Sequence, residues 1–298
     1  SLNNFVADVS DYMTVNQKLY HIDYYNNRDL KAVRPDLNDL IQEKIHGIVV
    51  SDFLSTHEVG LILQGFRNLN DQELVHIQKD FDSYPISFAQ FEQMLNAGKM
   101  SEANYLAMSS DFISGFLQRF GVDVFEKLNR VFGSFQNAPA LHHAPVAGQP
   151  SVPFTFRELF AGEGCLKAHC ENLFFHEFPG LLQRITQFGI AQHQLSFFIV
   201  LQKAGSGGEL TLFDILWNEE QKRLGDDHIR LQNSTELAFD DAEKLHRQSL
   251  HLNAGSLLVF SGGKIWHRVE KVRSAPSRIT LGGFLSFSEN FKNLYAWS

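Results

Sequence analysis

The sequence predicts a mixed α+β fold, with helices in the N-terminal half and a β-rich sandwich or barrel in the C-terminal half. Three observations carry this. Apolar residues recur at helical spacing between about residues 55 and 136. A tract at 137–153 holds four of the eight prolines (Pro139, Pro145, Pro150, Pro153) and breaks the pattern. From Phe154 onward, short apolar runs alternate with glycine turns, the texture of a closed or two-layered β structure.

Residues 1–35 read as a polar arm with one short strand around Leu19–Tyr24. Asp36–Ile45 carries apolar positions at helical spacing, and His46–Val50 is a β-branched strand. Ser55-Thr56-His57-Glu58 is a capping box: the serine accepts from the third backbone N–H while the glutamate reaches back. It opens a helix to about Asn68, with Val59, Ile62, Leu63 and Phe66 on one face. The stretch 70–100 gives no consistent period. Residues 101–136 predict two helices split at Gly121, one with a Phe112/Phe116/Leu117/Phe120 stripe, the other with Val124, Phe125, Leu128, Val131 and Phe132. Such stripes are core. The tract 137–153 is expected to be a long surface connection, its His142-His143 pair pointing apart. Strands follow at Gly164–Glu171, Leu195–Leu201, Glu209–Asp214, Ser249–Leu252, Ser256–Phe260, Ile265–Val269 and Arg278–Phe287, with a tight connection at Ala204–Gly208 and a turn at Gly262-Gly263. The charged region 217–248 reads as loop, with a helix near Asp240–Arg247.

A length of 298 residues, 44% hydrophobic, supports one domain, its mainly helical N-terminal half (residues 1–150) packed on a β core at 151–298. A net charge of −8 without a basic stripe argues against nucleic acid as a partner. No apolar run reaches the ~20 residues that span a bilayer, so no membrane partner is expected. The N-terminus shows no basic segment followed by an apolar run, so no signal peptide is expected; the absent initiator Met points to processing or a tag remnant. Cys165 and Cys170, the two cysteines, fall at odd spacing on one expected strand, face opposite sides and are expected to be buried free thiols, in keeping with a reducing cytoplasm. The oligomeric state is not legible.

The chemistry gathers at Lys167–Asn172. On an extended strand residues i and i+2 share a side, so His169 and Glu171 can aim an imidazole and a carboxylate at one point. His267, about a hundred residues on, can complete the set. Two histidines and one carboxylate, with the remaining positions open, form the ligand set of non-haem Fe(II) oxygenases. Alone, H-x-E is a weak signal. Here it is followed, in order, by Gly-Gly-Glu-Leu at 207–210, Ala-Gly-Ser-Leu-Leu-Val-Phe at 254–260, His267, and Arg278-Ile-Thr280 eleven residues further. Phosphate-loop and nucleophile-elbow motifs are absent.

In these segments the chain resembles the 2-oxoglutarate/Fe(II)-dependent oxygenase superfamily, whose pattern is H-x-D/E…H…R-x-S/T. Within it, Ala168–Phe174, the segment 194–218 and Gly255–Trp297 are similar to the freestanding cyanobacterial halogenases of the welwitindolinone, hapalindole and ambiguine pathways. The resemblance implies a double-stranded β-helix (a jelly-roll, cupin-like core) with N-terminal flanking helices. It implies Fe(II), 2-oxoglutarate as cosubstrate and O2, with iron held by His169, Glu171 and His267. Arg278 would then pair with the distal carboxylate of the cosubstrate and Thr280 would add a hydrogen bond; otherwise Arg278 is a structural ion pair. Phe174 and Ser196 fall where the halogenases line their substrate site; a core Phe and a solvent-facing Ser are equal alternatives. Asn172 is a candidate support for a ligand. Those halogenases carry glycine where this chain has Glu171, and chloride takes the vacancy. A carboxylate there implies a hydroxylase acting on an unactivated C–H bond of a small, largely apolar molecule. Halogenation or another oxidative outcome (desaturation, cyclisation, epimerisation) is the alternative, and a non-catalytic β-helix module the other.

Overall fold

The structure is a computed structural model that describes residues 18–217, 231–232, 236–237 and 242–298. In chain order the elements begin with β1 (Ile22–Asn26), α1 (Leu30–Val33), α2 (Asn38–Ile41), β2 (Gly47–Ser51), α3 (Thr56–Arg67), β3 (Val75–Gln78) and β4 (Phe81–Tyr84). Then come α4 (Phe88–Asn96), α5 (Glu102–Phe120), α6 (Val124–Gly133), β5 (Ala140–His143), β6 (Pro145–Val146), β7 (Gln149–Pro150), β8 (Thr155–Leu159) and β9 (Leu166–His169). After them follow α7 (Glu171–Glu177), α8 (Pro179–Phe188), β10 (Leu195–Gln202), β11 (Ser206–Gly207), β12 (Leu210–Leu216), β13 (Leu231–Gln232) and β14 (Glu236–Leu237). The chain closes with β15 (Arg247–Leu250), β16 (Leu257–Phe260), β17 (Ile265–Val269), β18 (Val272–Ser274), β19 (Arg278–Phe287) and β20 (Asn293–Trp297).

Two sheets make the core. The larger runs β1-β2-β16-β10-β19-β8-β4-β3, with β20 and β5 continuing from β19; the smaller runs β15-β12-β17-β9. Pairing is antiparallel apart from β1 with β2 and β5 with β20. This is the mixed fold with a double-stranded β-helix core. The period of two along each strand explains it. In β10, Phe197, Ile199 and Leu201 join the core beneath the helices, whereas Val200 and Phe198 turn to the space between the sheets. In β19, Ile279, Leu281 and Leu285 do the former, and Arg278, Thr280 and Gly282 line the inter-sheet cavity. Both faces of these strands are covered, so they read as near-continuous apolar runs.

The helices cover the outer face of the large sheet. Ser55 accepts from the Glu58 N–H and Glu58 from the Ser55 N–H, the expected capping box. Val59, Ile62 and Phe66 of α3 are buried, and Phe66 stacks on Phe156 of β8 at 4.9 Å. Gly121 ends α5 at φ 75°, the left-handed cap position where a Cβ is penalised.

Several expectations are corrected. The tract 137–153 is no surface connection: Leu141, Ala144, Val146 and Val152 are buried, and β5 pairs in parallel with β20. Two of its prolines, Pro145 and Pro150, sit in the two-residue β6 and β7, where short edge ladders tolerate the missing N–H. The strand expected at Gly164–Glu171 stops at His169, and Glu171 opens α7 instead. Cys165 and Cys170 flank β9 outside it; both are free, Cys170 buried but Cys165 only half-buried. The first strand lies at Ile22–Asn26, and the helix expected over Asp36–Ile45 shrinks to α2. The unassigned stretch 70–100 holds β3, β4 and α4; β8 and β20 were not foreseen. Residues 1–17, most of the loop 217–248 and the start of its expected helix lie outside the described residues. Among the described residues no helix is long and apolar enough to cross a membrane.

Candidate metal centre

His169 and His267 meet across the small sheet. They are direct partners in the β9–β17 ladder, their ring centroids 4.5 Å apart. Leu166 pairs with Val269, so three steps on β9 oppose two on β17. That irregularity turns both Leu166 and His169 inward, which strict alternation forbids. Glu171 arrives by another route. Its N–H donates to Gly262 O (3.2 Å), and the Asn172 N–H donates to Gly263 O (2.9 Å). The start of α7 is thus stitched to the turn before β17. A strand geometry for H-x-E was expected; a strand end followed by a helix start delivers the same convergence.

One ligand atom from each of His169, Glu171 and His267 can be chosen so that all lie within 4.8 Å of one another, the one such group of three or more among the described residues. Glu171 Oε1 lies 3.7 Å from His169 Nε2 and 3.4 Å from His267 Nε2. Each imidazole is oriented from behind. His169 Nδ1 sits 2.6 Å from Lys167 O, and His267 Nδ1 2.7 Å from Ile265 O. A carbonyl can only accept, so Nδ1 carries the proton and Nε2 turns its lone pair to the centre. Burial, with His267 beside it, lowers His169 to about 4. Burial would raise Glu171, but the two histidines hold it below the usual carboxylate range. For His267 burial acts downward and Glu171 more than offsets it. An ionised carboxylate and two Nε2 donors on one point suit a divalent cation. Glu171 Oε2 is buried without a hydrogen-bond partner.

The triad opens on a cavity between the sheets, lined also by Arg157, Ser196, Phe198, Phe260, Arg278, Thr280 and Phe284. Arg278 is buried and lies over the Phe198 ring, its guanidinium carbon 5.1 Å from the centroid. Burial, with Arg157 nearby, lowers it to about 10. No carboxylate pairs with Arg278 among the described residues. Ser196 Oγ is buried and has no partner.

Two expected residues fall elsewhere. Phe174 does not line the cavity; it packs on the helical core and against Phe178, centroids 4.4 Å apart. Asn172 Oδ1 is buried without a partner beside Gly263, and among the described residues it makes no hydrogen bond to a triad side chain. His142 and His143 form no site; His143 stacks on Phe125 at 3.9 Å. Sequence reasoning missed Arg157, Phe198, Phe260 and Phe284. Arg157 could have been found by the alternation of Thr155–Leu159, had that run been read as a strand. Gly262-Gly263 was read only as a turn. A Cβ on Gly262 would overlap Ser196 Oγ and come within 3.0 Å of Glu171 Oε2.

Comparison with known proteins decides the family. The family described as carrier-protein-independent halogenase WelO5 matches residues 26–298. The chain belongs to that family. No curated protein matches it. Among solved structures it is similar to an N-substituted L-amino acid dioxygenase from Burkholderia ambifaria AMMD, at 15% identity, 89% of this chain, 91% of that one and a TM-score of 0.55. The same dioxygenase in complex with alpha-KG matches at 14% identity, with 87% and 89% covered and a TM-score of 0.52. At such identities the likeness speaks for the fold.

Proposed function

We propose that the protein is a non-haem Fe(II)/2-oxoglutarate-dependent hydroxylase of a small, largely apolar molecule. The observation that carries this is a buried carboxylate, Glu171, sharing one centre with two Nε2 atoms beside an unpaired buried arginine. His169, Glu171 and His267 would hold the metal, their tautomers fixed by Lys167 O and Ile265 O. Arg278 would take the distal carboxylate of the cosubstrate, and Thr280, two residues along the same face, would donate its hydroxyl. Iron and 2-oxoglutarate, when bound, would supply O2-dependent decarboxylation to succinate and CO2, coupled to hydroxylation of an unactivated C–H bond. Phe198, Phe260 and Phe284 supply the aromatic part of the cavity wall, and Ser196 offers an uncommitted hydroxyl.

Anaerobic protein given Fe(II) and 2-oxoglutarate is expected to show a weak visible charge-transfer band; no band with or without substrate sinks the reading. Glu171→Ala is expected to abolish substrate hydroxylation, because loss of a ligand exceeds the 10–100-fold cost of losing a ligand's support. Family membership favours a second reading, halogenation. Glu171→Gly separates the two: chlorination gained only in the variant assigns hydroxylation to the unmodified chain, whereas chlorination by the unmodified chain assigns it halogenation.

A further inference from the structure

Two guanidinium groups face the inter-sheet cavity, and the reading above uses one. Arg157 of β8 lines the same cavity as the triad and Arg278. In the β8–β19 ladder it stands directly opposite Thr280, while Arg278 stands opposite Leu159. From strand spacings, the Cα atoms of Arg157 and Arg278 are about 8 Å apart. Arg157 is therefore displaced from Arg278 towards Gly282, on the cavity-facing side of the sheet. Among the described residues neither arginine has a hydrogen-bond or ion-pair partner. Glu171 acts on Arg157 through space and makes no ion pair with it. Its Oε1 already faces two imidazoles. Arg278 is buried and Arg157 partly buried; an unpaired guanidinium withdrawn from water is costly, and two in one cavity call for two anionic groups.

The geometry points to a two-arginine clamp for a dicarboxylate: Arg278 holds the distal carboxylate and Arg157 the carboxylate nearer the metal. This rests on the cosubstrate reading above and extends it. Arg157 is a positioning residue. Its fork fixes the orientation of the proximal carboxylate, and so the direction from which the keto acid end meets the three ligands. The two ends of the cosubstrate are then recognised by the protein before any metal contributes.

The test uses metal-free protein, read by thermal shift and calorimetry. Glutarate has both carboxylates and no keto group; pentanoate has the same chain length and one carboxylate. The unmodified protein is expected to bind glutarate at least about tenfold more tightly than pentanoate, the scale of one charge-assisted hydrogen bond. Equal binding overturns the clamp without any mutation. Arg157→Gln is expected to weaken glutarate and 2-oxoglutarate about 10- to 100-fold, with Arg157→Lys restoring some of the loss. If Arg157→Gln folds and binds both as tightly as the unmodified protein, the clamp is wrong. The outcomes separate cleanly from failure of the hydroxylase reading. A charge-transfer band with unchanged affinity in Arg157→Gln removes the clamp alone; no band in the unmodified protein removes the cosubstrate reading itself.

Discussion

Glu171 uses its two oxygens differently. Oε1 faces both imidazoles, whereas Oε2 is buried without a partner next to Gly262. The bare Cα of Gly262 is what lets the carboxylate and Ser196 lie so close, since a Cβ would come within 2.8 Å of Ser196 Cβ and 3.0 Å of Glu171 Oε2. Gly262→Ala must push one of them aside. It is expected to lower metal affinity about tenfold or more, on the scale of a lost ligand support, measured by chelator competition. Unchanged affinity would mean that Glu171 is free to shift without losing the centre. Ser196 is the second residue worth testing for stability. A buried hydroxyl without a partner contributes no hydrogen bond, so Ser196→Ala should change stability by less than about 1 kcal/mol. A melting temperature lowered by several degrees would show that Ser196 Oγ is partnered in solution.

At the scale of elements, local grammar was legible where it was strong. Ser55-x-x-Glu58 announced α3, and the Phe and Val/Leu stripes with Gly121 announced α5 and α6. The same grammar opens α4, where Ser87 and Gln90 form a capping box, but it lies within the stretch 70–100 that shows no consistent period. β5 was illegible for a different reason. Its partner β20 lies about 150 residues away, and parallel pairing leaves no hairpin signature. This junction carries a pH prediction. His143 stacks on Phe125 of α6, and burial, with His142 alongside, lowers its pKa from 6.5 to about 4. Between those values the unfolded chain takes up a proton that the folded chain refuses. Its contribution to stability is therefore whole above about pH 6.5 and is lost progressively as pH falls towards 4. Melting temperature should fall between pH 7 and pH 5, and His143→Phe, which keeps a ring against Phe125, should make the fall shallower. An identical slope in the variant would show that His143 titrates normally.

Across the whole molecule, the two-sheet core could be expected from short strands and glycine turns, but the pairing of the sheets could not. His169 and His267 could be grouped from the sequence as one ligand set, but what makes residues a hundred positions apart neighbours is the antiparallel β9–β17 ladder. Arg278 and Thr280 were singled out through the resemblance to the R-x-S/T pattern, and their spacing of two on one strand places them on one face. Arg157 was not, because its nearness to Thr280 is a fact of strand order. Phe174 was misplaced because α7 starts at Glu171, and a helix turns that ring to the core instead of the cavity. The same topology predicts how ligands affect the fold. The triad ties β9, β17 and the start of α7 together, while Arg278 sits on the opposite sheet. Metal and cosubstrate together would bridge the two layers, and both would bind only the folded chain. Mass action then stabilises by about 2.7 kcal/mol at a hundredfold excess over Kd, or roughly 5 °C for a chain of this size. Anaerobic Fe(II) with 2-oxoglutarate should raise the melting temperature by that much, a chelator should reverse it, and Arg278→Gln should forfeit most of the share due to 2-oxoglutarate. A full shift in Arg278→Gln would place the distal carboxylate elsewhere, and no shift in the unmodified protein would mean that the triad holds no metal.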